Sequence, residues 1–253
     1  MSLQNKVAFV SGASRPRGNG RAIALTLARM GIDVAVSGWN HMEGAVSLAE
    51  EIKAMGRKSM AVKMDVSNYP DVQKGFAAIK ETLGPISILV NNAALMNHNV
   101  SIAKTTVEEW ENEVKICLNS AFYCIKEVWP DMCSNRWGRI VHLTSVAGVL
   151  GGYGQTSYGA AKAGLISLAK SAALEGARFN ITANCVLVGI AMTDAYLKLP
   201  EAVREKVEKK TAIGRPADPQ EIANAVAFLV SDEAKYMTGA VMNMLGGLDL
   251  FVI

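Results

Sequence analysis

Short runs of apolar, often β-branched residues alternate along the chain with longer stretches whose apolar positions recur at helical spacing. The runs Val7–Val10, Asp33–Ser37, Ser59–Met64, Ile86–Val90, Arg139–Leu143, Ile181–Leu187 and Ala240–Met244 predict strands. The stretches Arg21–Met30, Glu43–Met55, Val72–Leu83, Val107–Cys133, Ser157–Ala177 and Pro219–Ser231 predict helices between them. Ile86–Val90 and Arg139–Leu143 read as strands buried on both faces. Strand–helix alternation of this kind implies a seven-stranded parallel sheet with helices on both faces. No repeat, low-complexity segment or linker interrupts the pattern, so a single domain over residues 1–253 is expected.

Composition agrees with that architecture. The chain has 253 residues, 50% hydrophobic and 19% charged, which suits one large α/β domain better than two small ones. Its formal charge of +3 is spread without a Lys/Arg block, so neither nucleic acid nor a membrane surface is expected as a partner. The start MSLQNKVAFVSG lacks signal-peptide architecture, and no apolar run reaches the roughly 18 residues of a membrane span. Cys117, Cys124, Cys133 and Cys185 are scattered, as are the histidines, with no metal-ligand spacing. The expectation is a reduced, cytoplasmic protein without a metal site.

Candidate chemistry gathers where strands end. The first strand runs into SGASRPRGNGRAIA, with Gly12, Gly18 and Gly20 where the chain must turn tightly into a helix. Backbone N–H groups of such a loop, with Ser14, Arg15 and Asn19 among its contacts, and the helix N-terminus can hold a pyrophosphate. The second strand ends Ser37-Gly38-Trp39-Asn40 with no carboxylate to bind a ribose 2′-hydroxyl. Arg15 and Arg17 could instead meet a 2′-phosphate, and Trp39 could pack on adenine, which favours NADP over NAD. Asp65-Val66 and the run Asn91-Asn92-Ala93-Ala94 also stand at carboxyl ends of strands, where open α/β sheets bind ligands.

The stretch TSVAGVLGGYGQTSYGAAK, Thr144 to Lys162, carries the reactive groups. Tyr158 and Lys162 are four apart in a segment whose alanine and leucine content predicts a helix, so they share a face. A lysine ammonium there favours the phenolate, which suits the tyrosine to exchange a proton with an alcohol oxygen. Ser145, at the end of the preceding strand, would hydrogen-bond the same oxygen.

Together these motifs resemble the short-chain dehydrogenase/reductase family over essentially the whole chain. SGASRPRGNG resembles its glycine motif, Asp65-Val66 its adenine contact, NNAA its NNAG strand and TS-x12-YxxxK its active site. NCVLVG is similar to the family's segment after strand six, and the C-terminal stretch from RPADPQEIANAV to MLGG resembles the end of its 3-oxoacyl-thioester reductases. The resemblance implies a Rossmann-type doubly wound fold, an NAD(P) cofactor, hydride transfer between a ketone and a secondary alcohol, and a homotetramer. It makes Tyr158 the acid/base, sets Lys162 on the nicotinamide ribose and Ser145 on the substrate oxygen, and gives Asn92, Gly189 and Thr193 to the cofactor.

The chain departs from the family pattern in four places. The glycine loop carries an extra Pro16-Arg17. Trp110 marks the place of the family's helix asparagine, and Cys117 stands there, a weak donor and acceptor for a water relay from the active-site lysine. Val188-Gly189 replaces a Pro-Gly turn, and Leu245 replaces an aspartate. The Leu245 change reads as neutral packing, whereas the longer glycine loop, Cys117 and Val188 motivate a second functional class, a catalytically silent subunit supporting a related active partner in a hetero-oligomer. The substrate-facing stretches expected are Leu95–His98, Val146–Tyr153 and Ile190–Lys198. They are mostly apolar, with His98 and Tyr153 as polar exceptions, which suits a hydrophobic or thioester-linked ketone or the matching alcohol.

Overall fold

The computed structural model describes residues 3–95 and 99–250. Seven strands form one sheet: β1 Val7–Val10, β2 Asp33–Gly38, β3 Ser59–Lys63, β4 Ile86–Asn91, β5 Gly138–Ser145, β6 Ile181–Val188 and β7 Val241–Met244. Their order is 3-2-1-4-5-6-7 and every pairing is parallel. The order reverses between β1 and β4, so their carboxyl ends open a crevice at the middle of the sheet.

Helices cover both faces, as parallel strands require. On one face α1 (Asn19–Arg29), α2 (Met42–Ala54) and α10 (Pro219–Val230) bury Ile23, Leu27, Leu48, Ile52 and Val226 against the sheet. On the other, α3 (Tyr69–Leu83), α5 (Ser120–Ser134) and α7 (Thr156–Gly176) bury Phe76, Ile79, Val128, Met132 and Ala172. Phe9 of β1 meets Phe76 edge-on, ring centroids 4.8 Å apart. Asn68 caps α3, and Asp218 with Glu221 forms a capping box on α10 behind Pro219.

The stretch expected as one helix from Val107 to Cys133 is three pieces. Helix α4 (Val107–Val114) runs into a π-helical turn, Lys115–Asn119, before α5 begins. One widened turn leaves the apolar spacing nearly unchanged, so a helical pattern does not reveal it. Strands β5 and β6 run one or two residues further than their apolar cores suggest, which brings Ser145 into register with Val188. Short helices α6 (Ala147–Leu150), α8 (Asp194–Leu197) and α9 (Glu201–Glu208) lie in segments for which no helix was predicted.

Helix α2 begins directly against the glycine loop. A Cβ on Gly44 would lie 2.0 Å from the Ser14 carbonyl oxygen, so no side chain fits unless the loop moves. Gly44→Ala is therefore expected to cost about 1–3 kcal/mol in urea unfolding. An unchanged midpoint would show that the loop yields freely.

Candidate functional site

A cleft of about 600 Å³ opens over the carboxyl ends of β1 to β4. Gly12, Ser14, Arg15, Gly18, Asn19 and Gly20 form one wall. Trp39, Asp65, Val66 and Asn92 line the floor and far end, and Tyr158 and Thr193 stand at the opposite side. Twelve of the residues expected to bind a cofactor thus share one cavity. Lys162 is buried beneath it, and Gly189 turns away, its N–H donating to the Met244 carbonyl at 3.1 Å.

Close backbone approach shapes the glycine wall. Gly12 has φ +64°, and a Cβ there would come within 2.8 Å of Ala93 Cα. A Cβ on Gly20 would strike Asn92 Nδ2 at 2.5 Å. The Asn92 amide donates to the Ser11 and Gly12 carbonyls at 2.8 and 3.1 Å, so it ties the loop to the end of β4. Asp65 Oδ1 accepts from the Ser67 N–H and hydroxyl, fixing the turn after β3. The extra pair in the loop points across the mouth of the cleft, where the Arg17 N–H donates to Asp194 Oδ2 at 3.2 Å.

At the far end, Trp39 is half exposed, and the Lys63 ammonium stands 5.5 Å from its ring centroid. Arg15 lines the same cleft, and among the described residues no carboxylate pairs with Arg15 or Lys63. Lys63 went unread in the sequence, and Asp194 was read only as part of the stretch Ile190–Lys198. Lys63 gave no signal, whereas adjacency to Thr193 could have pointed to Asp194.

The Tyr158 end of the cleft is built by β5 and α7. Lys162 Nζ donates to the Leu143 carbonyl at 2.7 Å, and the Thr144 hydroxyl donates to the Lys162 carbonyl at 2.7 Å. Its ammonium lies 5.5 Å from the Tyr158 ring centroid. Ser145 closes β5, its Oγ accepting from the Ala147 N–H at 3.3 Å. Helix α6 can lie on α7 because Gly148 and Gly159 carry no Cβ; one on Gly148 would sit 2.7 Å from the Lys162 carbonyl carbon. The strand end and the Tyr158 helix are therefore brought together by missing side chains.

Cys117 has a different occupation from a water relay. Its thiol donates to the Leu95 carbonyl at 3.2 Å and accepts the Leu95 N–H at 3.4 Å, pinning the chain that leaves β4. Burial raises its pKa, with the Lys162 charge pulling the other way. His98, expected to face substrate, and its neighbours Met96 and Asn97 lie outside the described residues.

A family model described as enoyl-(acyl carrier protein) reductase matches residues 12–249. The 3-oxoacyl-[acyl-carrier-protein] reductase FabG of Pseudomonas aeruginosa is 41% identical over 248 residues, 98% of this chain and 99% of its own length. The proteins of the same name from Staphylococcus epidermidis and Aquifex aeolicus are 38% and 37% identical. They cover 96% and 98% of this chain, and 99% of their own lengths. The chain belongs to the short-chain dehydrogenase/reductase family. It is an NAD(P)-dependent oxidoreductase that interconverts a ketone and a secondary alcohol. The family's nicotinamide cofactor fits the residues present. Gly12 and Gly20 leave a cradle that side chains would fill, and the Lys162 ammonium has one acceptor among the described residues where it can serve three. Among those residues no helix is long and apolar enough to cross a membrane.

One buried titratable group behind the site escaped the sequence reading. His142 of β5 is fully buried, its Nδ1 accepting from Asn91 Nδ2 at 3.2 Å, so Nε2 carries the proton. Burial, reinforced by the Lys162 charge, lowers its pKa to about 3. Between that value and the ordinary 6.5 of an exposed imidazole, the unfolded chain holds a proton that the folded one refuses. Stability should fall as pH drops from about 6.5, by up to about 1.4 kcal/mol per pH unit, with no contribution above. His142→Asn should flatten that limb in denaturant titrations at stepped pH; an unchanged slope would contradict the neutral imidazole.

Proposed function

We propose that the protein reduces a 3-oxoacyl thioester to the 3-hydroxyacyl thioester with NADPH, or runs the reverse oxidation. The observation that carries the reading is Tyr158 on the cleft wall with the buried Lys162 ammonium 5.5 Å from its ring centroid. The activity for which the relatives are named supplies the substrate class. Val149 and Leu150 add exposed apolar surface after β5, suited to an acyl chain.

Held in this cleft, a reduced nicotinamide would supply a hydride to the carbonyl carbon. As that carbon is reduced, negative charge gathers on the carbonyl oxygen, where Tyr158 Oη gives up its proton. The phenolate left behind is stabilised by the Lys162 ammonium, which the Leu143 carbonyl holds in place. Ser145 Oγ–H donates to the same oxygen and keeps it facing the tyrosine. In the oxidative direction the phenolate removes the alcohol proton. The glycine loop would hold the pyrophosphate through its backbone N–H groups. Arg15 and Lys63 would meet a 2′-phosphate beside Trp39, a site for which β2 ends without a carboxylate. That charge balance is the ground for NADP(H) over NAD(H).

Each departure that suggested a silent subunit has local employment that leaves the cleft open. Cys117 pins Leu95, Arg17 meets Asp194 at the mouth, and Val188 extends β6 beside Ser145. We further infer that residues 1–253 act as one domain and assemble as a homotetramer, helices α4, α5 and α7 pairing with symmetry mates. Val107, Phe122 and Leu174 leave apolar surface on those helices. Four free cysteines, three of them buried, suit a cytoplasmic home.

Steady-state assays of wild type and Tyr158→Phe with an acetoacetyl thioester, NADPH and NADH test the reading. Tyr158→Phe is expected to lower kcat about 10²–10⁴-fold with its melting temperature unchanged. Wild type should favour NADPH about ten-fold or more in kcat/KM, the worth of one charge-assisted contact. Wild-type kcat in the variant would remove the tyrosine from its role. An equal or reversed cofactor preference would remove Arg15 and Lys63 from theirs.

A further inference from the structure

Glu113, near the end of α4, is a buried carboxyl that the reaction above does not use. Its residue is 7% exposed, and one oxygen, Oε2, accepts the hydroxyl of Ser157 on α7. The other, Oε1, has neither solvent nor a hydrogen-bonding partner among the described residues. Ser157 is itself buried and is the immediate neighbour of Tyr158.

A half-satisfied buried carboxyl is a poor stabiliser, since an apolar side chain of similar volume usually serves packing better. What it touches suggests another use. Helix α7 starts at Thr156, and Gln155 at its N-cap makes no side-chain bond to the first-turn N–H groups. An uncapped first turn is prone to fray, and here that turn carries Tyr158. The Glu113–Ser157 bond is the side-chain tether that crosses from α4 to this turn. A carboxylate is also favoured at the positive end of a helix of 21 residues. One turn further along, Cys117 pins Leu95, which lines the same cleft. The α4 stretch and the π turn therefore hold both the tyrosine's turn and a second residue of the cleft lining.

We propose that Glu113 is a positioning residue. Through Ser157 it holds the first turn of α7 so that the Tyr158 hydroxyl keeps its distance from the reacting oxygen. This rests on Tyr158 being the proton donor. Displacing a reacting group by about 1 Å can cost as much as 100-fold in rate, so loss of the tether should be visible in kcat.

The test compares wild type, Glu113→Gln, Ser157→Ala, the double variant Glu113→Leu/Ser157→Ala, and Tyr158→Phe in the thioester assay, each with a thermal melt. The double variant removes both polar partners together, which leaves stability unchanged or improved. Its melting temperature should hold or rise while kcat falls about tenfold and the cofactor KM stays within about twofold. Ser157→Ala should show the same fall in kcat. Glu113→Gln keeps an acceptor for Ser157 and should retain kcat within about twofold. Wild-type kcat in the double variant overturns the proposal, as does a Gln variant as slow as the double. If the double variant does not fold, wild-type kcat in Ser157→Ala overturns it equally. Wild-type kcat in Tyr158→Phe would instead overturn the assignment of the proton donor, an outcome distinct from any of these.

Discussion

A lysine ammonium buried at the end of a parallel sheet is the constraint on which the rest of the site depends. Lys162 is 2% exposed, and taking such a charge out of water costs several kcal/mol before any partner is found. Its protein partner is the Leu143 carbonyl, and the Thr144 hydroxyl returns the bond to the Lys162 carbonyl. Strand β5 and helix α7 are thereby locked in one relative position. Burial, more than this charge, sets the state of the titratable groups around it. His142 is kept neutral, Cys185 is pushed up by burial to about 12 despite the lysine, and Cys117 is held as a thiol in hydrogen bonds.

From that anchor the remaining geometry follows by close packing. Gly148 and Gly159 let α6 rest on α7, which carries the chain after Ser145 over the helix bearing Tyr158. On the nucleotide side, Gly12 and Gly20 let the first turn approach Asn92 and Ala93, so the crevice between β1 and β4 has a backbone wall. The added Pro16-Arg17 lengthens this loop outward, to Asp194 at the start of α8, and leaves the wall itself intact. A loop insertion is tolerated where it adds length at the rim.

Much of this was legible in the sequence because strand and helix periods differ and because the glycine loop, Asn92 and Ser145 stand at strand ends. All seven strands were readable from short β-branched runs, and Ser145, Tyr158 and Lys162 from their spacing. The C-terminal end of β5 was not, since the polar Thr144 there is paired rather than exposed, its hydroxyl donating to the Lys162 carbonyl. The π turn at Lys115–Asn119 was hidden because one widened turn leaves apolar spacing almost unaltered. Cys117 was read against a family asparagine, and its bond to Leu95 depends on a loop path that no local pattern encodes. Glu113 and Gly44 were illegible for a related reason. A charged residue in an amphipathic helix ordinarily faces water, and a helical glycine ordinarily faces nothing. Only the packing of α4 on α7, and of α2 on the Ser14 loop, gives them their roles.

The central claim is that a hydride reaches a ketone carbon in this cleft while Tyr158 supplies the proton. The most direct measurement is a single turnover of acetoacetyl thioester with NADPH carrying deuterium at the transferable C4 position, followed by mass spectrometry of the product. The account predicts one deuterium at C3 of the 3-hydroxyacyl thioester from wild type and almost none from Tyr158→Phe in the same time. Unlabelled product, or equal labelling by the two proteins, would contradict it.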